Sequence, residues 1–124
     1  MFRTDINFDS PVPIYQQVIL SIKLEILSGR LKAGDQLPPI RELAKILKLN
    51  PNTVAKAYYN LEKEGFTESK RGSGNWVNTK NIKLDRLRKG MLEDEFRSFL
   101  ERALSLGATR EDIKKLIEKD LSHD

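Results

Sequence analysis

The sequence predicts a mostly helical fold that carries one small β-hairpin and ends in a short two-helix tail. Three observations predict it. Apolar residues recur at helical spacing from Ile14 to Leu61, in short runs divided by Gly, Pro and Asn. The link Arg71-Gly72-Ser73-Gly74 then joins two short strand-like runs. After Thr79 the helical spacing resumes and holds to Leu121. These changes of pattern divide the chain into a domain over residues 1–79 and a tail over residues 80–124.

Residues 1–12 are a polar lead-in. A first helix is expected from Ile14 to Leu27. Ile14, Val18, Ile22 and Ile26 form one apolar row and Leu20, Leu24 and Leu27 a second, a broad face suited to the centre of a small domain. Ser28-Gly29 ends it, because glycine takes the left-handed cap without strain. Leu31 to Asp35 is a turn, and Gln36-Leu37 fits a very short strand before Pro38-Pro39. A second helix covers Ile40 to Leu47, with Ile40, Leu43, Ala44 and Leu47 on one side. After the break Lys48-Leu49-Asn50, Asn50 is a good N-cap and Pro51 fits the first helical position. The third helix runs from Pro51 to about Glu64 with Val54, Ala57, Tyr58 and Leu61 inward, and Gly65 stops it. Strands are expected at Phe66–Lys70 and Asn75–Asn78. In the tail, Leu84, Leu87, Met91, Leu92, Phe96, Phe99, Leu100, Ala103 and Leu104 keep helical spacing, interrupted by Gly90 at a bend or boundary. Gly107 ends that helix. Thr109 caps a last one, whose stripe is Ile113, Leu116, Ile117 and Leu121.

The totals restrict the function. With 124 residues the chain holds one compact domain and an extension. It has no cysteine, hence no disulfide, thiolate metal site or thiol nucleophile, and its lone histidine, His123, is next to last. No apolar run approaches the ~20 residues of a membrane span, and MFRTDINFDSP lacks the apolar segment of a secretory signal, so the expected location is cytoplasmic. The net charge of +4 is uneven. Residues 1–80 hold 12 Lys/Arg against 8 Asp/Glu, and residues 81–124 hold 10 of each. The basic part is the domain, which permits a nucleic-acid partner.

Two helices split by a three-residue break fit a helix-turn-helix, which places the start of its second helix in the DNA major groove. The third helix begins with chemistry suited to that place. A helix N-terminus with free N–H groups and partial positive charge favours phosphate. Asn52 can pair with adenine, the Thr53 methyl can meet a thymine methyl, and Lys56 reaches guanine or phosphate. No acid follows until Glu62. Lys70, Arg71, Gly72, Ser73 and Gly74 form a basic hairpin tip able to meet phosphate or the minor groove. Arg41, in the first turn of the second helix, either binds a phosphate or pairs with a neighbouring acid. Tyr59 faces away from the Val54 side, towards DNA or the first helix. Phe66 and Trp76 read as core residues. Glu93, Asp94, Glu95 and Glu101 share a helix with Arg97 and Arg102 and read as a solvated or ion-paired face. Ser10 and Asp9 have no histidine base beside them, so no enzyme, metal or cofactor is expected.

Residues 13–77, from PIYQQV to GNWV, resemble the winged-helix DNA-binding domain of GntR-type bacterial transcriptional regulators. The resemblance rests on Gly29-x-Leu31-x-x-Gly34-x-x-Leu37-Pro38, Arg41-Glu42-Leu43-Ala44, Asn52-Thr53-Val54, Leu61-Glu62-x-Glu64-Gly65 and Gly72-x-Gly74. It implies that Arg41, Thr53 and Lys56 contact DNA and that Gly72 and Gly74 form the wing tip. Two positions depart from the family: Pro39 stands where serine is usual, and Asn75-Trp76 where Thr-Phe is usual. The two-helix tail is similar to that of the YtrA subfamily, which implies dimerisation through the tail and control of a transporter operon. The tail's composition agrees with a dimer, since Leu92, Phe96, Phe99, Leu100, Leu104, Ile113, Leu116 and Ile117 would otherwise expose a large apolar patch, unless packed on the first helix of the same chain. The resulting expectation is a homodimeric regulator, a repressor by preference, on an inverted-repeat operator in double-stranded DNA. The rival is a winged helix that binds protein rather than specific DNA. An effector is not specified by any residue.

Overall fold

The structure, a computed structural model, describes residues 6–70 and 74–122. The elements follow the order α1 (Ile14–Leu27), α2 (Ile40–Leu47), α3 (Pro51–Lys63), β1 (Thr67–Lys70), β2 (Gly74–Val77), α4 (Asn81–Ser105) and α5 (Arg110–Leu121). This is the mostly helical architecture with a hairpin wing and a helical tail that the sequence predicts. The chain forms two compact units, one through Leu87 and the other from Arg88 onward. Among the described residues no helix is long and apolar enough to cross a membrane.

In the first unit the inward rows of α1, α2 and α3 meet. Val18, Ile22, Leu43, Val54, Ala57 and Leu61 are fully buried, and Leu37, Phe66, Val77 and Leu84 complete the core. Only the first of the two apolar rows on α1 is spent there. Leu20 and Leu24 remain about half exposed, against the expectation of a helix buried on both rows. The lead-in is fastened to α1 by Gln17, whose amide nitrogen donates to the Asn7 and Val12 carbonyls while its oxygen accepts from the Asn7 N–H at 2.8 Å.

The hairpin pairs Thr67 with Val77 and Lys70 with Gly74, antiparallel. Both strands differ by a residue or so from the expected limits, for identifiable reasons. Phe66 donates its N–H to the Leu61 carbonyl, closing the turn that ends α3, and only its carbonyl reaches the hairpin. Asn78 supplies the last hydrogen bond of the hairpin and then leaves it. Its N–H bonds to the Phe66 carbonyl and its side-chain amide to the Gly65 carbonyl. Gln36 bridges Trp76, and the Leu37 N–H donates to the Asn75 carbonyl at 2.9 Å, so the expected short strand lies along β2. Gly65 is needed for its backbone conformation. It has φ +89°, while the Lys83 side-chain end that a Cβ would meet is free to swing away.

In the second unit α4 continues through Gly90 without a break, and a Cβ at that position would meet open space. The expected interruption is absent because one glycine costs a helix only about 1 kcal/mol. Thr109 caps α5 as expected, in a reciprocal box: its hydroxyl accepts from the Asp112 N–H, and the Asp112 carboxylate accepts from the Thr109 N–H. Hydrogen bonding from the Thr109 backbone N–H, and then from the Thr109 side chain, holds the Asp112 carboxyl below its ordinary range. Ile113 and Ala103 are buried, whereas Leu92, Phe96, Phe99, Leu104, Leu116 and Ile117 are exposed and Leu100 is partly so.

Candidate nucleic-acid interface

The turn between α2 and α3 sets where α3 begins. Lys48 takes φ 58°, the left-handed conformation, and is the one non-glycine among the described residues to do so. Its N–H bonds back to the Lys45 carbonyl and the Leu49 N–H to the Ala44 carbonyl, a closing pattern that glycine usually serves. The chain then enters α3 at Asn50. Here the structure corrects an expectation. The first N–H groups of α3 are not free for phosphate. The Asn50 side chain accepts from the Asn52 N–H at 2.8 Å, and the Asn50 carbonyl accepts from Thr53 at 3.0 Å and from Val54. Pro51 has no N–H to offer. What remains at this end is the helix dipole and the side chains.

Those side chains present one exposed face. Asn52 and Lys56 are exposed and Thr53 partly so, while Val54, Ala57, Tyr58 and Leu61 point into the core. The acids of α3 lie at its far end and are engaged. Glu62 accepts from the Ser69 hydroxyl at 2.6 Å, and Glu64 pairs with Lys23 at 3.0 Å. The exposed start of the helix is therefore cationic without local compensation. Arg41 lies exposed in the first turn of α2, and among the described residues it makes no ion pair, so pairing with a neighbouring acid is not its use here.

Tyr58 links α3 to the residue before the N-cap of α2. Its hydroxyl donates to the Pro38 carbonyl at 2.6 Å, tying the middle of α3 to the residues just before α2. Burial, reinforced by the nearby Glu42 carboxylate, pushes the phenol well above its ordinary range. The sequence marks Tyr58 as core, and nothing in periodicity reveals that its hydroxyl closes the motif. Two further aromatic contacts lie outside periodicity as well. The Lys56 ammonium sits 3.9 Å from the centre of the Tyr15 ring on α1, and the Lys70 ammonium 4.7 Å from that of Trp76. Trp76 is only partly buried, with its indole N–H enclosed and without a hydrogen-bond partner. Tyr59 is exposed with the Lys63 ammonium over its ring. Of the expected wing tip, Lys70 and Gly74 face each other across the hairpin, and Arg71, Gly72 and Ser73 lie outside the described residues.

A three-helix core, a helix-turn-helix with an acid-free exposed start, and a hairpin flanked by a third short strand define a winged helix-turn-helix domain of the DNA-binding regulator class. The profile described as bacterial regulatory proteins, gntR family, matches residues 14–77. The chain belongs to the GntR family of DNA-binding transcriptional regulators. It is 38% identical over 117 residues to the HTH-type transcriptional repressor YtrA of Bacillus subtilis (strain 168), covering 93% of this chain and 88% of the relative. A GntR family transcriptional regulator from Listeria monocytogenes superposes with a TM-score of 0.83 at 32% identity, over 90% of this chain and 98% of the other. YtrA from Sulfolobus acidocaldarius, a GntR-family transcription factor, gives a TM-score of 0.57 at 34% identity, over 96% and 97%. The similarity to these proteins extends past the winged helix into the tail.

Proposed function

We propose that the chain is a homodimeric repressor that binds an inverted-repeat operator, with transporter genes, its own operon among them, as the first targets to test. The observation that carries the reading is the start of α3. Asn52, Thr53 and Lys56 line an exposed face, and both acids of the helix are held elsewhere. Asn52 and Thr53 would read base edges, Lys56 a base or phosphate, and Arg41 a flanking phosphate. Lys70, Arg71, Gly72, Ser73 and Gly74 would follow the backbone beside them.

The tail supports the dimer. Leu92, Phe96, Phe99, Leu104, Leu116 and Ile117 expose apolar surface that a second copy would cover. An open hollow of about 660 Å³, bordered by Phe99, Arg102, Ala103 and Leu106, offers a seat for a partner side chain. Ile113 is already buried within one copy, so its part would be to brace that face from beneath. Repression is supported by the name of the Bacillus subtilis relative, which spans nearly the same length.

The test is an anisotropy titration against the DNA upstream of the protein's own gene at two salt concentrations, with unrelated DNA as competitor. Specific binding should weaken with salt by roughly 0.9 log units per phosphate neutralised for each log unit of salt. Lys56→Glu should abolish it while the fold persists. Retained affinity in that variant would remove α3 as the recognition helix.

A further inference from the structure

We propose that Tyr15, on α1, is the positioning residue of the recognition helix: its ring seats the Lys56 ammonium so that the lysine meets DNA already placed. The inference rests on α3 being the DNA-reading helix and adds a residue from a different element to its working parts.

Lysine is a poor recognition group when free. Its charge rides on a flexible stem that loses rotamer freedom when it is fixed on a target. Among the described residues no acid or carbonyl holds the Lys56 ammonium. What it has is the Tyr15 ring, 3.9 Å from ammonium to ring centre, well inside the range of a cation–π contact. The seat is itself held. Tyr15 is half-buried in the first turn of α1, and its hydroxyl accepts from the Gln16 side-chain amide at 3.2 Å. Gln17, the next residue along, fastens the lead-in. A ring occupies one side of an ammonium and leaves its other N–H groups available. Lys56 accordingly stays exposed while seated. A carboxylate in the same place would fix the lysine equally well but would neutralise the charge that attracts phosphate, and a ring does not.

The wing repeats the device. Lys70, the basic residue that leads into the hairpin tip, lies over Trp76 on the paired strand at 4.7 Å. Both lysines of the candidate interface that the structure describes are thus seated on aromatic rings contributed by other elements.

The experiment is a double-mutant cycle on the full chain, read by anisotropy with a labelled duplex enriched from a random library by the wild-type protein. Tyr15→Leu should weaken binding by about 3-fold per half-site, and by about 10-fold on a duplex engaging both copies, with an unchanged salt slope because the number of phosphates met is the same. Tyr15→Phe should stay within about 2-fold of wild-type affinity, since the ring remains and only the Gln16 contact is lost. In a Lys56→Gln background the further change Tyr15→Leu should have no effect. An equal loss in both backgrounds, or none in either, would overturn the proposal. In the wild-type protein the Lys56 Hε protons should also be shifted upfield by the ring current, and ordinary shifts there would overturn it without any variant. Failure of the wild-type protein to enrich a duplex would instead sink the DNA-binding reading, and the proposal with it.

Discussion

Removing the Tyr58 hydroxyl tests how the helix-turn-helix is held. In Tyr58→Phe the Pro38 carbonyl loses its donor, and water reaches the partly buried site only in part. A stranded acceptor of this kind costs about 1–2 kcal/mol. For a unit of this size that lowers the thermal midpoint by about 4–16 °C. The assay is urea unfolding of both proteins at pH 8, where the slopes should agree and the midpoints differ. Alkaline pH supplies a second and sharper readout. The phenol is raised in the folded state by burial and by Glu42, so the folded chain keeps a proton that the unfolded chain releases above about pH 10. The stabilisation is complete below that pH and declines as pH rises towards the folded value, by about 1.4 kcal/mol for each unit. Phenylalanine has no such titration. The wild-type advantage should therefore shrink above pH 10 and vanish near about pH 11, while other groups titrate alike in both proteins. Equal midpoints at pH 8, or a gap that is the same at pH 8 and pH 11, would refute the bond as the tie between α2 and α3.

Other expectations follow from the same contacts. Phe99→Asp places a charge in the exposed apolar face of α4 and should give monomers by light scattering with unchanged helix content; a dimeric mass would put the interface elsewhere. Lys48→Gly relieves a left-handed lysine and should stabilise the chain by about 1 kcal/mol, seen as a higher urea midpoint; no gain would mean the turn carries no strain. Thr109→Ala breaks the box that opens α5 and should reduce helix content by circular dichroism at pH 7. Because the Asp112 carboxyl is lowered by that box, its contribution is present above the ordinary carboxylate range and disappears as pH falls through the folded value, so wild type and variant should converge in acid.

The helices of the first unit were legible because their ends are written in residues with local conformational rules. Gly29 takes the left-handed turn after α1, Asn50 caps α3 and Pro51 occupies its first position, and the three helices begin and end within a residue of the reading. The strand limits were less sharp because Phe66 and Asn78 share the last hydrogen bond of the hairpin, yet the Phe66 N–H and the Asn78 side-chain amide go to carbonyls at the end of α3. The second apolar row of α1 was misjudged for a different reason. Periodicity reports that Leu20 and Leu24 share a face and is silent on what covers it. Tyr58 and Tyr15 were out of reach altogether, since each acts through a contact between elements 20 and 41 residues apart respectively, and spacing within one helix carries no signal of it.

The start of α3 shows why the side chains at that interface matter more than its backbone. A helix opening with Asn-Pro-Asn was expected to offer free N–H groups to phosphate. The cap that makes the helix well formed is what removes them, because Asn50 takes the Asn52 donor with its side chain and the next two with its carbonyl. Good capping and anion binding compete for the same donors. With the donors spent, attraction of DNA to this end would fall to the helix dipole, which fades within the first turn, and to Lys56, which lies one turn further on. A charge that stands alone in that role gains from being held in place. The contact with Tyr15 holds it without the neutralisation that a carboxylate partner would bring.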